Sequence, residues 1–296
     1  MRELEFIRYI TRKFKTKSPV VFGIGDDCAV IKHTKDKFLL LTCDMIVERT
    51  HFTSKTRAFE IGWKAMAVNI SDIASMGGIP KYALVAAAVP RGKNVRFLKE
   101  IIRGVEKISK KFNISIIGGD TNSSERIVLS VTLIGEAEKK YLTKRDGAKP
   151  GDLIFVTGAL GEGKSKHLNF LPRLSESRKL VKNFKINSMI DLSDGLAMDL
   201  NRLAVASNVG ACVYKSLIPL SKKSEPLEKS IFAGEDFELL FTASIAESRK
   251  IIKRMGEKDS LPITLIGEIV KKPLGVGLIG DNGKLTPLKP KGYAHF

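Results

Sequence analysis

The sequence has little that could staple a small fold or hold a soft metal. Only three cysteines, Cys28, Cys43 and Cys212, occur in 296 residues, with no CxxC pair, so neither a disulfide framework nor a zinc knuckle is encoded. The four histidines, His33, His51, His167 and His295, show no i, i+4 pairing, and a zinc enzyme is not expected. No apolar run approaches the roughly 20 residues that cross a bilayer. The first residues, Met1-Arg-Glu-Leu-Glu-Phe-Ile-Arg, mix charge into apolar positions. Secretion and membrane spanning are therefore not expected, and a reducing cytoplasm is the expected compartment. Acidic residues are scarce, 32 against 50 basic ones, leaving a net charge of +18. The basic residues recur along the whole chain, as at Lys110-Lys111, Lys222-Lys223 and Lys271-Lys272, rather than on one arm or helix face. They read as solvated surface. A nucleic-acid-binding protein is the alternative from another class, and it rests on net charge without any zinc-finger spacing or aromatic RNA-binding signature.

What is present is ordinary globular material, 43% hydrophobic and 28% charged, long enough for one large domain or two average ones. Leu4, Ile7, Ile10 and Phe14 predict an amphipathic helix over 3–14. Short apolar runs predict four strands in the first half, near 20–24, 38–41, 82–89 and 127–134. Phe59, Trp63, Met66, Ala67, Ile70, Ile73 and Ala74 give one apolar helix face that ends near Gly77-Gly78, and a second helix is predicted over 95–111. The polar, turn-rich stretch 143–152 is the expected domain boundary, dividing the chain into 1–145 and 146–296. Strands near 153–156, 186–190, 211–214, 237–241, 263–266 and 276–279 then alternate with helices near 196–206 and 245–255. The expected class is α/β (α+β), with a mixed sheet and helices in the first domain and an α/β second domain.

The aspartates carry the chemistry. Several follow apolar runs and are flanked by small residues: Gly25-Asp26-Asp27, Thr42-Cys43-Asp44, Gly118-Gly119-Asp120-Thr121 and Asp191-Leu192-Ser193-Asp194-Gly195. Asp72 lies on the polar shoulder of its helix, one turn from Asn69. Each alone would be a turn or a helix cap. Together, in so basic a chain, they read as oxygen ligands. Like charges about 4 Å apart repel by on the order of 4 kcal/mol at an effective dielectric of 20 and call for a cation between them. Mg²⁺ takes only one or two protein carboxylates per ion, so five or more converging aspartates imply several ions bridging phosphates, with the neighbouring glycines letting backbone N–H groups approach. A competing match, Gly158-Ala-Leu-Gly-Glu-Gly163-Lys164-Ser165, satisfies GxxxxGK[ST] after a predicted strand. The helix that a P-loop lysine must open meets Pro172 within two turns, and no βαβ array surrounds it. It reads as a chance match.

The blocks GIGDDCAV (23–30), THF (50–52), WKAMAVNISDIASMGGIP (63–80), IIGGDTN (116–122), GAKPGDLIFVTG (147–158), IDLSDGLAMDL (190–200), GEDFELLFT (234–242) and KGYAHF (291–296) resemble the thiamine-monophosphate kinases. These belong to the aminoimidazole-ribonucleotide-synthetase-like superfamily of ATP-binding enzymes. The blocks span nearly the whole chain in order. DLSDGL, GEDFELLF and the terminal KGYxHF are characteristic of these kinases rather than of the purine-synthesis ligases, selenophosphate synthetase or the hydrogenase-maturation factor. The resemblance implies ATP-dependent phosphorylation of thiamine monophosphate to thiamine diphosphate, assisted by several Mg²⁺ ions. It also implies a homodimer formed through the first domain's sheet and an active site between the domains. It assigns Asp27, Thr42, Asp44, Asp72, Asp120, Asp191 and Asp194 to metal, and Gly119, Asp120, Arg145 and Ser193 to ATP. His51 and Glu235 would contact the thiamine phosphate, with Asp26 and Asp236 as supports or, for Asp236, a structural cap. No dedicated base is implied, since the acceptor phosphate is already anionic. Cys43 stands where the family usually has a hydroxyl, and Pro290 where it presents a tryptophan, which leaves aromatic stacking to Tyr293 or Phe296. The runner-up within the superfamily is an ATP-dependent enzyme with another acceptor.

Overall fold

The computed structural model describes residues 3–255 and 262–292. The helix α1 (Glu3–Lys13) leads into a six-stranded sheet of β1 (Val20–Phe22), β2 (Ala29–Lys32), β3 (Lys37–Val47), β4 (Ile79–Val89), β5 (Ser115–Ser123) and β6 (Val128–Glu138), in the order β1-β2-β3-β6-β4-β5. Helices α2 (Ala58–Ser75) and α3 (Val95–Lys111) cover one face. β6 alternates half-buried and buried residues along its length, with Leu129, Val131 and Leu133 pointing to that covered face. All pairings are antiparallel except β4 with β5, the two strands that α3 connects. Helix α2 is buried almost all round because it lies between the sheet, α3 and parts of the second half. The α2–α3 crossing depends on glycine: a Cβ at Gly62 would lie 1.9 Å from the Ile101 carbonyl oxygen, and one at Gly104 2.0 Å from that of Phe59.

The first half thus has two strands more than the apolar runs predict. β2 is short and was hidden beside the Gly-Asp-Asp loop. β5 is exposed along its whole length, and its apolar run, Ile116-Ile117, is too short to stand out as a strand although it leads into Gly119-Asp120. β3 continues through Thr42 and Asp44, placing Asp44 inside a strand and not beyond its end.

The second half builds a seven-stranded sheet from β7 (Leu153–Thr157), β8 (Ser188–Asp191), β9 (Gly210–Tyr214), β10 (Leu239–Ala243), β11 (Ile263–Val270), β12 (Val276–Ile279) and β13 (Leu285–Pro287). Their order is β13-β12-β9-β11-β7-β10-β8, antiparallel except for β9 with β12. The helices are α4 (Gly163–Lys166), α5 (Leu174–Asn183), α6 (Leu196–Ser207), α7 (Leu227–Ser230) and α8 (Ile245–Met255). One face packs Ile154, Val156, Ile190 and Leu240 with Leu196, Leu200 and Leu203 of α6. The other packs Phe155, Met189 and Phe241 with Leu180 of α5 and Ile251 of α8. With both faces covered, the central strands read as continuous apolar runs, which is why their positions are plain in the sequence.

The halves meet along α2, which touches α5 and β8. Trp63 Nε1 donates to the Phe170 carbonyl at 2.8 Å, and the Arg178 guanidinium reaches both carboxylate oxygens of Glu138 at 2.9 and 3.0 Å.

Candidate active site

A cavity of about 490 Å³ is lined by residues of both halves: the β1–β2 loop, β3, His51, three turns of α2, Arg145, the loop after β8, and Glu235 with Phe237. Helix α2 contributes Lys64, Val68 and Asp72, an i, i+4, i+8 stripe. Asp27 comes from the β1–β2 loop and Asp191 from the last position of β8. Carboxylate oxygens of Asp27, Asp72 and Asp191 all lie within 4.8 Å of one another.

Hydroxyls and an arginine fix these three carboxylates. Ser75 Oγ donates to Asp27 at 2.6 Å, Ser71 Oγ to Asp191 at 2.5 Å, and the Thr42 hydroxyl to Asp72. Burial, with Asp44, Asp191 and Asp27 close by, pushes the Asp72 carboxyl well above the usual range. Burial and then Asp27 do the same to Asp191. Asp44 is set by a β3 backbone N–H that donates to Asn69 Oδ1 at 3.1 Å. Arg145 pairs with Asp27, and its charge is secured because Asp27 and Asp26 outweigh the burial that opposes it. Its Nε is buried, makes no hydrogen bond, and lies 3.6 Å from Asp26 Oδ1. Asp26 accepts from the backbone N–H of Asp27 at 2.9 Å and of Arg145 at 3.0 Å, tying the two segments together. Burial first, then Asp27, lifts its pKa to about 6.

The donor set suits a hard divalent cation. Every candidate ligand atom around Asp27, Asp72 and Asp191 is oxygen, and the like charges gathered there raise one another's proton affinity until a positive charge sits among them. Asp194 stands at the cavity edge, 2.5 Å from Arg202, and its backbone N–H donates to the buried Asp199 at 3.0 Å. Gly119 and Asp120 are elsewhere. They lie on edge strand β5, where Asp120 pairs with Ala86 and shares a row with Ser130 and Met45 on the face that α2 and α3 leave uncovered. Three interstrand steps of roughly 4.8 Å separate that strand from β3. Tyr293 and Phe296 lie outside the described residues.

The opposite wall is built differently. The loop 234–237 folds against the loop after β8: the Glu235 N–H donates to the Ser193 carbonyl at 2.7 Å and that of Phe237 to Leu192 at 2.9 Å. Gly195 adopts φ +104, and a Cβ there would sit 2.7 Å from the Ala233 oxygen. Glu235 and Phe237 themselves take φ of 72 and 50, conformations that cost non-glycine residues about 1–3 kcal/mol each. The Glu235 carboxylate pairs with the fully buried Lys64. Burial works to raise its pKa, but His167 and Lys64 hold it below the usual range. His51 Nδ1 accepts from the Val47 N–H at 3.0 Å, so a neutral ring carries its proton on Nε2. Lys64 and His167 are additions to the residues expected from the sequence. Lys64 could have been found by its place on the stripe of Asp72; among 50 basic residues it passes for surface.

The Gly158–Ser165 match is not a phosphate cradle. The helix it opens, α4, has four residues, and the N–H groups of Gly161 and Gly163 already donate to Asp236 at 2.9–3.0 Å. Asp236 is therefore the cap of this loop.

Sequence and fold comparisons place the chain in a family. The AIR synthase related protein N-terminal domain matches residues 25–137 and its C-terminal domain residues 165–279. Thiamine-monophosphate kinase of Bacillus subtilis (strain 168) is 36% identical over the whole of both chains. The chain belongs to the thiamine-monophosphate kinase family. The enzyme of that name from Escherichia coli (strain K12) is 32% identical, over 98% of this chain and 96% of its own. Among solved structures, AaThiL complexed with AMPPCP and TMP matches with a TM-score of 0.85 and 30% identity, over 100% of this chain and 97% of that one. The hydrogenase maturation protein HypE, at 19% identity in its ATP complex, shares the fold with a TM-score of 0.71.

Proposed function

We propose that this protein transfers the γ-phosphoryl group of ATP to the phosphate of thiamine monophosphate, giving thiamine diphosphate and ADP. The observation that carries the reading is one cavity lined by three converging carboxylates and Arg145 together with His51 and Glu235. Full-length similarity to kinases named for this substrate supports it.

In this reading Asp27, Thr42, Asp44, Asp72, Asp191 and Asp194 hold Mg²⁺ in the cavity, while Asp120, a further ligand by the family resemblance, lies on β5 outside it. Bound there, Mg²⁺ would neutralise the phosphates and orient their oxygens for in-line transfer. The chain's own task is to bring two polyanions together and hold them. Arg145 brings a secured positive charge to the cavity for a phosphate oxygen, with Ser193 beside it on the ATP side, and the resemblance adds Gly119. His51, donating from Nε2, and the anionic Glu235 suit the two ends of an acceptor that carries a phosphate and a cationic ring. The acceptor phosphate is already ionised near neutrality, its second pKa being about 6, so the residues need only position it. Tyr293 and Phe296 remain the aromatic partners suggested for the thiamine rings.

The same reading takes the chain as two domains, 1–145 and 146–296, acting in the cytoplasm as a homodimer. Supporting the dimer, Met45, Tyr82 and Leu84 are exposed by 54%, 48% and 40% on one uncovered sheet face. Consistent with the compartment, no helix among the described residues is long and apolar enough to cross a membrane.

The test is incubation with ATP, Mg²⁺ and thiamine monophosphate, with and without EDTA, following thiamine diphosphate by chromatography. Metal-dependent product with matching ADP is expected. ATP turnover without thiamine diphosphate would transfer the site to another acceptor.

A further inference from the structure

Lys64 is fully buried on α2, yet it is among the residues that line the cavity. A buried lysine charge is costly unless its protons are satisfied; here Glu235 and the His51 carbonyl take two, and His167 Nδ1 lies beside the third. The ammonium pairs with Glu235, donates to the His51 carbonyl at 3.1 Å and meets His167 Nδ1 at 2.6 Å. His167 Nδ1 also lies 3.0 Å from the second oxygen of Glu235, closing a triangle. Three separate segments are thereby joined at one atom: the turn after β3, the residue after α4, and the 234–237 loop with its two left-handed residues.

Such a group is not explained by stability. Replacing a buried ion pair with apolar residues of similar volume is often neutral or favourable for folding. The ammonium is enclosed by these protein groups, its side chain only 1% exposed, so it acts through what it holds. We propose that Lys64 is the positioning residue of the acceptor site. It fixes the spacing between His51 and Glu235 and holds the 234–237 loop in its bent conformation, with His167 as the third anchor. This rests on reading His51 and Glu235 as the residues that grip thiamine monophosphate.

Steady-state kinetics of the full chain with ATP, Mg²⁺ and thiamine monophosphate test it, using Lys64→Met, Lys64→Arg, Glu235→Gln and the Lys64→Met/Glu235→Gln double variant. Losing a charged hydrogen-bond anchor predicts that Lys64→Met raises KM for thiamine monophosphate by about tenfold or more while KM for ATP changes by less than about twofold. Lys64→Arg recovers part of the loss. The double variant is no worse than the poorer single one, because both remove the same contact. A folded Lys64→Met with unchanged KM for thiamine monophosphate, a parallel rise in both KM values, or multiplying effects in the double variant would each overturn the proposal. If Lys64→Met does not fold, Lys64→Arg decides: a selective rise in KM for the acceptor supports the proposal, and wild-type kinetics or an equal rise for ATP rejects it. Wild-type protein that makes no thiamine diphosphate defeats the functional reading itself, and this proposal with it. An active wild type beside an indifferent Lys64→Met defeats the proposal alone.

Discussion

Asp191 illustrates how a single side chain can be poor for stability and still be retained. It is buried, its carboxylate shares space with Asp27, and the Ser71 hydroxyl donates to it. An amide in its place would relieve the repulsion and still accept from Ser71. Asp191→Asn is therefore expected to melt at or above the wild-type temperature without Mg²⁺, while turnover falls by at least about a hundredfold. Turnover near wild type would remove Asp191 from the metal site. Asp236 differs: its charge faces backbone N–H groups, yet burial, the larger influence, raises its pKa from 3.8 to about 6. A carboxyl whose folded pKa lies above its unfolded one binds protons more tightly in the folded state. Its contribution is thus fully present below about pH 4 and is lost as pH rises towards 6. Denaturant titrations of wild type and Asp236→Asn should diverge over that window by on the order of 3 kcal/mol, the wild type losing the more as pH rises. Parallel pH profiles would show that Asp236 titrates normally.

At the scale of elements, α2 and α3 decide how the site is presented, because α2 carries both Asp72 and Lys64 and is held at its depth by the close crossing on Gly62 and Gly104. Gly104→Ala gains about 1 kcal/mol of helix propensity, but its methyl meets backbone, which cannot swing aside as a side chain would. A net loss of about 1–3 kcal/mol is expected in thermal or denaturant unfolding, and an unchanged midpoint would mean that the helices separate freely. The same elements explain what could be read in advance. The apolar stripe of α2, the alternation in β6 and the double-sided strands β7, β8 and β10 all have burial patterns that repeat with their geometry, so their positions follow from hydrophobic spacing. β5 does not, because an edge strand exposed on both sides obeys no such pattern. In the site, the aspartates were visible because small residues flank them in a basic chain. Lys64 and His167 were not, because their meaning comes from long-range pairing with Glu235, 171 and 68 residues away by numbering.

The whole molecule carries +18, and two copies brought together repel unless something local outweighs that charge. The uncovered face of the first sheet is where such compensation is available. Its rows carry Tyr82 with Ile134, Leu84 with Cys43 and Thr132, and Met45 with Ser130, without a lysine or arginine among them. Apolar contact there strengthens or holds its value as salt is added, while repulsion between the remaining surfaces is screened, the Debye length shrinking from about 30 Å at 0.01 M to about 8 Å at 0.15 M. If the proposed dimer forms through this face, its association is expected to tighten with ionic strength. Leu84→Arg, which plants a charge in the middle of the face, should yield monomers at concentrations where wild type is dimeric. Sedimentation at low and physiological salt separates the outcomes. A dimer that dissociates as salt rises would be held by ion pairs elsewhere, and a Leu84→Arg dimer as tight as wild type would move the interface off this sheet.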